Sequence, residues 1–266
     1  MSLAAGAAYK LPHMDPRLPS AAQRRASERR AGLLGSMAAV ALLCLAALPA
    51  HASGLLWHVS TRLAHGAPVS IIAFGSSSTS GVGASSVEAS YPACLERDLR
   101  SHLHFHDPVT VANRGVAGDD IDAMMRRLDH DVLQPHPDLV IWQLGTNDAL
   151  EHMPLAHFET AARHGIKLLR KAGIDLVLME PQHAPRVDMA PDAVAYRAAV
   201  RRLGAEFGVP VIRRFDLMAR WAKSGETPAL VAPDGLHMSD TGYEKLGEAV
   251  ASLILSAAHP TTMAGR

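Results

Sequence analysis

Cysteine is almost missing from this chain: its 266 residues hold two, Cys44 and Cys94. Cys44 falls in an apolar leader, so a processed chain keeps Cys94 alone and an intrachain disulfide is excluded. Cys94 then reads as a buried apolar residue. Net charge is missing too. Lys and Arg total 26, and so do Asp and Glu. A neutral balance argues against a nucleic-acid partner. No internal repeat or low-complexity linker interrupts residues 53–266, which therefore read as one domain. The segment "GSSSTSGVG" lacks the lysine of a P-loop, which counts against a phosphate cradle.

Long hydrophobic runs occur in one place. Ala31 to Ala52 carries no charge, follows Arg29 and Arg30, and closes on Pro49 and the small-residue pattern Ala50-His51-Ala52. A basic region, a short apolar core and an A-x-A site read as a secretory signal with cleavage after Ala52. Residues 1–52 are thus an expected leader and the protein an expected export to the periplasm or beyond. The alternative is an uncleaved membrane anchor over residues 31–50, since about 20 apolar residues span a bilayer. A membrane partner is expected only through that segment.

What is there, after the leader, is alternation. The segments "VSIIAF", "VTVAN", "DLVIWQ", "DLVLME" and "VPVI" are short, mostly continuous apolar runs bounded by Gly, Pro or Asp, as parallel strands covered on both faces are. Helix-length segments lie between them: Tyr91 to Leu103, Ile121 to Leu133, Phe158 to Lys171 and Ala193 to Phe207. This order predicts an α/β fold, a three-layer α/β/α sandwich around a mainly parallel sheet of about five strands. In the last helix Leu246, Ala249, Val250, Leu253 and Ile254 make one apolar stripe. Thr241 and Glu244 have the spacing of a capping box at its start.

Polar, glycine-rich blocks follow the strands, where open parallel sheets bind their ligands. "GSSSTSG" follows the first strand, "NRGVAGDD" the second and "LGTND" the third; "PDGLHMSD" precedes the final helix. Each is weak alone, since a Gly-Thr-Asn turn is common and Asp-x-x-His arises by chance. Together, in this order and on one rim, they are specific. From the residues alone, any of Ser76, Ser77 and Ser78 is a candidate nucleophile, and the run also suits an ordinary loop. "HLHFH" spaces His102, His104 and His106 alternately, but no Cys, Asp or Glu set completes a metal site, and it reads as a solvated or structural loop. Gln182 and His183, after the fourth strand, are candidates for lining a cleft.

These blocks resemble the SGNH (GDSL-type) serine hydrolase family over nearly all of residues 53–266. The family pattern Gly-Asp-Ser-x-[ST] matches Gly75-Ser76-Ser77-Ser78-Thr79, which puts the nucleophile on Ser77. The chain departs from the pattern at Ser76, where an Asp is usual; that acid is not the family's catalytic acid. Gly118 and Asn147 match the oxyanion-hole glycine and asparagine. Asp234 and His237 match the acid and base of the Asp-x-x-His block.

The resemblance implies a flavodoxin-like SGNH hydrolase fold and an esterase. Ser77 would attack an ester carbonyl, His237 would take its proton, and Asp234 would hold the other imidazole nitrogen. The N–H groups of Ser77 and Gly118, with the Asn147 amide, would face the oxyanion. No metal and no organic cofactor is called for. The expected partner is a small-molecule, glycan or lipid ester, with O-acetyl groups on carbohydrate as one substrate class. Lipid ester or thioester hydrolysis and acyl transfer to a glycan hydroxyl use the same triad. A silent carbohydrate-binding domain would need none of these residues.

Overall fold

The computed structural model describes residues 56–103, 109–224 and 229–258. The leader and the last two histidines of "HLHFH", His104 and His106, lie outside them. Among the described residues, no helix is long and apolar enough to cross a membrane.

The chain enters through helix α1 (Trp57–Ala64) and strand β1 (Val69–Gly75). A one-turn helix, α2 (Ser77–Ser80), follows at once, then α3 (Tyr91–His102) and β2 (Val109–Gly115). Helix α4 (Ile121–Leu128) runs into a wider π turn at Asp129–Leu133 before β3 (Leu139–Gln143). The chain continues through α5 (Thr146–Leu150), α6 (Leu155–Lys171), β4 (Asp175–Met179), α7 (Pro185–Asp188) and α8 (Ala193–Phe207). It ends with β5 (Val211–Ile212), α9 (Arg214–Ser224) and α10 (Asp240–Ala258).

The sheet has five strands in the order β2-β1-β3-β4-β5, and every pairing is parallel. Successive strand residues point to opposite faces, so a strand covered twice must be apolar at every position. β3 meets that demand, with all five residues buried. On one face Ile72, Phe74, Val140, Trp142, Leu176 and Leu178 pack under α4, α6 and α8. On the other, Ile71, Ala73, Ile141 and Val177 pack against α1, α3 and α10. β2 lies at the edge and alternates buried or half-buried with exposed residues.

This is the three-layer α/β/α architecture expected from the alternation. The segment Ile121–Leu133 is helical throughout, with α4 widening into the π turn. One local expectation is corrected. The final helix is not capped at Thr241, which lies inside it. Ser239 takes that place: its Oγ accepts from the Gly242 N–H at 3.2 Å, and its carbonyl accepts from Tyr243 N at 2.9 Å. The same hydroxyl donates to the Ala229 carbonyl at 2.6 Å, a second bond that Thr241 cannot duplicate. Cys94 is buried in α3, with no disulfide partner among the described residues.

In this strand order the connections after β1 and β3 leave in opposite directions, which opens a crevice between the carboxyl ends of β1 and β3. Ser77 follows the first of these strands and Asn147 the second.

Candidate active site

The three serines after β1 have different surroundings. Ser76 and Ser78 are each 1% exposed, while Ser77 is half-buried. Ser76 is also occupied: its N–H and its hydroxyl both donate to Gln143 Oε1, at 2.9 and 3.0 Å. Thr79 Oγ1 adds a third donor at 3.3 Å. With three donors converging on it, that atom must be the amide oxygen. Gln143 thereby ties the turn after β1 to the end of β3. The turn needs glycine behind it. A Cβ on Gly75 would stand 2.4 Å from Thr79 Oγ1 and 2.8 Å from Gln143 Oε1.

Ser77 is left facing His237. The imidazole Nε2 lies 2.8 Å from Ser77 Oγ, across 160 residues of sequence. The other ring nitrogen, Nδ1, lies 2.5 Å from Asp234 Oδ2. A carboxylate there sets the tautomer, with the proton on Nδ1 and the lone pair on Nε2. Asp234 Oδ1 accepts from the backbone N–H groups of Leu236 and His237, at 2.9 and 3.0 Å. The acid is thus folded into its own loop, helped by Gly235 at φ +69°. Burial alone would raise the Asp234 carboxyl, but the hydrogen bonds from His237 and the backbone outweigh it and hold it at about 2. It is ionised at every pH of interest.

Gly118 and Asn147 come to the same rim. Gly118 is exposed and sits at φ +88°, a left-handed conformation that favours glycine. Asn147 is buried, and its Nδ2 donates one hydrogen to the Asp119 carbonyl at 2.8 Å. Among the described residues, the backbone N–H groups of Ser77 and Gly118 have no acceptor. Ser77, Gly118 and Asn147 thus each keep one uncommitted donor among the described residues: two backbone N–H groups and the second amide hydrogen of Asn147.

Arg127 braces this rim, a role that its position in the sequence does not reveal. From α4 it donates to Asp119 Oδ2 at 2.6 Å, Asp131 Oδ2 at 2.8 Å, the Arg114 carbonyl at 2.9 Å and the Gly75 carbonyl at 2.8 Å. Its guanidinium also lies 4.3 Å from the centre of the Phe74 ring. One side chain thus joins the ends of β1 and β2 to the loop that carries Gly118. Beside Asn147, Asp148 is buried and accepts from Ile121 N at 2.9 Å. Burial pushes its carboxyl up to about 6.

The two cleft candidates separate. Gln182 is fully buried. His183 lines a cavity of about 400 Å³ with Pro185, Met218 and Leu230. Its Nδ1 faces Asp188 Oδ2 at 2.5 Å, and its ring meets Phe215 edge-on at 4.9 Å. His102 is exposed at the end of α3, and no cluster of metal-ligating side chains occurs among the described residues.

Residues 46–260 match the non-GDSL lipase-like family. The chain belongs to this family. Membership in the non-GDSL lipase-like family suits the turn after β1, where Ser76 stands in place of the aspartate of a Gly-Asp-Ser signature. An arylesterase of Vibrio mimicus is 31% identical over 99 residues, which are 37% of this chain and 48% of that relative. The chain thus matches about half the length of that relative. A lipase/acylhydrolase from Enterococcus faecalis superposes with a TM-score of 0.61 at 27% identity, over 70% of this chain and 95% of that one. An acetylxylan esterase from Geobacillus stearothermophilus superposes with a TM-score of 0.60 at 20% identity, over 70% and 94%. At that identity the likeness concerns the fold alone. The fold is that of the SGNH hydrolases, and the proteins similar to this family member are named as ester hydrolases.

Proposed function

We propose that the protein is an exported serine esterase that cleaves carboxylic esters through an acyl group carried on Ser77. The observation that carries this reading is the continuous chain from Asp234 through His237 to the Ser77 hydroxyl, with contacts of 2.5 and 2.8 Å. A serine hydroxyl is a weak nucleophile until a base is in place to take its proton.

The geometry supports the following steps. Ser77 Oγ attacks the carbonyl carbon as its proton passes to His237 Nε2. The carbonyl π pair moves onto oxygen, where the N–H groups of Ser77 and Gly118 and the Asn147 amide meet it. Asp234 stays ionised and stabilises the imidazolium. Collapse of the intermediate breaks the bond to the alkoxy oxygen, which leaves as the alcohol with the proton from Nε2. Water then repeats the sequence on the acyl-enzyme, releasing the acid and restoring Ser77. Every charge that develops is met by a group of this chain, and no step calls on a metal or an organic cofactor.

The substrate class we favour is an O-acetyl ester on a carbohydrate. The basis is the expected export and the fold shared with an acetylxylan esterase. A panel of p-nitrophenyl acyl esters and acetylated glycans tests it. Turnover should be highest with acetyl and should fall as the acyl chain lengthens. A preference for long acyl chains would move the substrate to lipid esters.

A further inference from the structure

Gln182 follows β4, and nothing in the proposed chemistry uses it. Its side chain makes three hydrogen bonds, each to a different part of the chain. Oε1 accepts from Thr146 Oγ1 at 3.0 Å and from Arg214 Nη2 at 2.6 Å. Nε2 donates to the Leu236 carbonyl at 3.1 Å. Thr146 immediately precedes Asn147, and Leu236 immediately precedes His237. One buried amide therefore links the block holding an oxyanion donor to the block holding the base.

The amide has one workable orientation. Turned over, its NH₂ would face the Thr146 hydroxyl and the Arg214 guanidinium, and its oxygen would face a carbonyl. Arg214 fixes it from behind. This arginine is fully buried at the start of α9, and its Nε donates to the Glu180 carbonyl at 3.1 Å. Its hydrogen bonds go to neutral oxygens, and its Nη1 has no partner among the described residues. A buried charge without a bonded carboxylate destabilises a fold. Its placement is better explained by what it holds than by any gain in stability.

We infer that Gln182, clamped by Arg214, is a positioning residue that keeps Asn147 and His237 in register across the Ser77 hydroxyl. The inference rests on the roles proposed above for Asn147 and His237. It differs from a packing role in what its loss changes. Loss of packing lowers stability and leaves the chemical step of the folded fraction intact. Loss of register lowers kcat, because small displacements of catalytic groups reduce rate by up to about 100-fold.

Two conservative variants separate the arms. Thr146→Val keeps the volume and removes the bond on the Asn147 side. Gln182→Glu keeps an acceptor for Thr146 and Arg214 but replaces the donor to Leu236 with an oxygen, loosening the His237 side. Each should lower kcat by roughly tenfold, with KM within about twofold. The double variant should fall by less than the product of the two, since both act through one amide. If Gln182→Glu does not fold, Thr146→Val carries the test. Wild-type kcat in the folded variants, with only the melting temperature lowered, would overturn the inference. Ser77→Ala, assayed beside them, keeps the two failures apart. An active Ser77→Ala removes the reading on which the inference rests. An inactive one beside fully active Thr146→Val and Gln182→Glu removes the inference alone.

Discussion

Asp119 accepts from Arg127 at its carboxylate and from Asn147 at its backbone carbonyl, at 2.6 and 2.8 Å. The cation on α4 is thus two contacts away from the amide that would face an oxyanion. Arg127 is 17% exposed at its side chain, so its bonds are poorly screened. Arg127→Met should destabilise the protein by about 3 kcal/mol, because it strands the Asp119 carboxylate and leaves Asp131 with His130 alone. Arg127→Lys should recover only part of that, since one ammonium cannot reach four acceptors spread around a planar fork. Thermal melts of the three proteins check the order wild type, lysine, methionine.

Asn147→Ala removes one proposed oxyanion donor. A donor that strengthens as charge develops acts mainly on kcat, and its loss should lower kcat on the order of 10²- to 10³-fold with little change in KM. Steady-state kinetics on a soluble acetyl ester is the measurement. Unchanged kcat would take Asn147 out of the catalytic set and leave it as the tie to Asp119.

Gly83 touches the base from the outside. It sits at φ +91°, and a Cβ there would lie 2.6 Å from the Met238 carbonyl and 2.9 Å from His237 Cβ. Gly83→Ala should push the His237 loop away from Ser77 and lower kcat by about tenfold or more. A destabilisation of about 1–3 kcal/mol should accompany it, from the strained backbone. Activity and melting temperature equal to wild type would show that this loop has room to yield.

Asp148 supplies a pH signature. Its folded carboxyl sits at about 6 because it is buried, against an ordinary value of 3.8. Between those limits the folded state holds a proton that the unfolded chain has lost, so stability falls as pH rises through the window and levels off above it. Asp148→Asn keeps an oxygen to accept from Ile121 and removes the titration. Relative to wild type, this variant should gain stability from pH 4 to pH 7, by about 2 kcal/mol at roughly 1.4 kcal/mol per tenfold. Denaturant unfolding of both proteins at several pH values checks it. A constant difference across the range would mean that Asp148 ionises normally.

Much of the architecture was legible before any coordinates. Continuous apolar runs such as "DLVIWQ" announce strands buried on both faces, and β3 is buried throughout. The polar blocks at the strand ends stand out because residues there do not serve the core. Local competition was harder to read. Ser239, Asp240 and Thr241 are all able caps, and the choice of Ser239 depends on the Ala229 carbonyl ten residues away. The braces were not legible at all. Gln143 reaches Ser76 across 67 residues, Arg127 reaches Gly75 across 52, and Gln182 reaches Leu236 across 54. None lies in a motif, and each joins backbone and side-chain atoms that only the fold brings together. The serine run shows the same limit: register against a family names Ser77, but only the fold reveals that Ser76 and Ser78 are buried.

The central claim is that Ser77 carries the acyl group, and covalent labelling tests it most directly. A fluorophosphonate reacts at an activated serine with loss of fluoride. Labelled protein, digested and mapped by mass spectrometry, should carry one adduct, on Ser77. Labelling and ester hydrolysis should both vanish in Ser77→Ala while persisting in Ser78→Ala. An adduct on Ser76 or Ser78, or a Ser77→Ala protein that hydrolyses acetyl esters at the wild-type rate, would contradict the account.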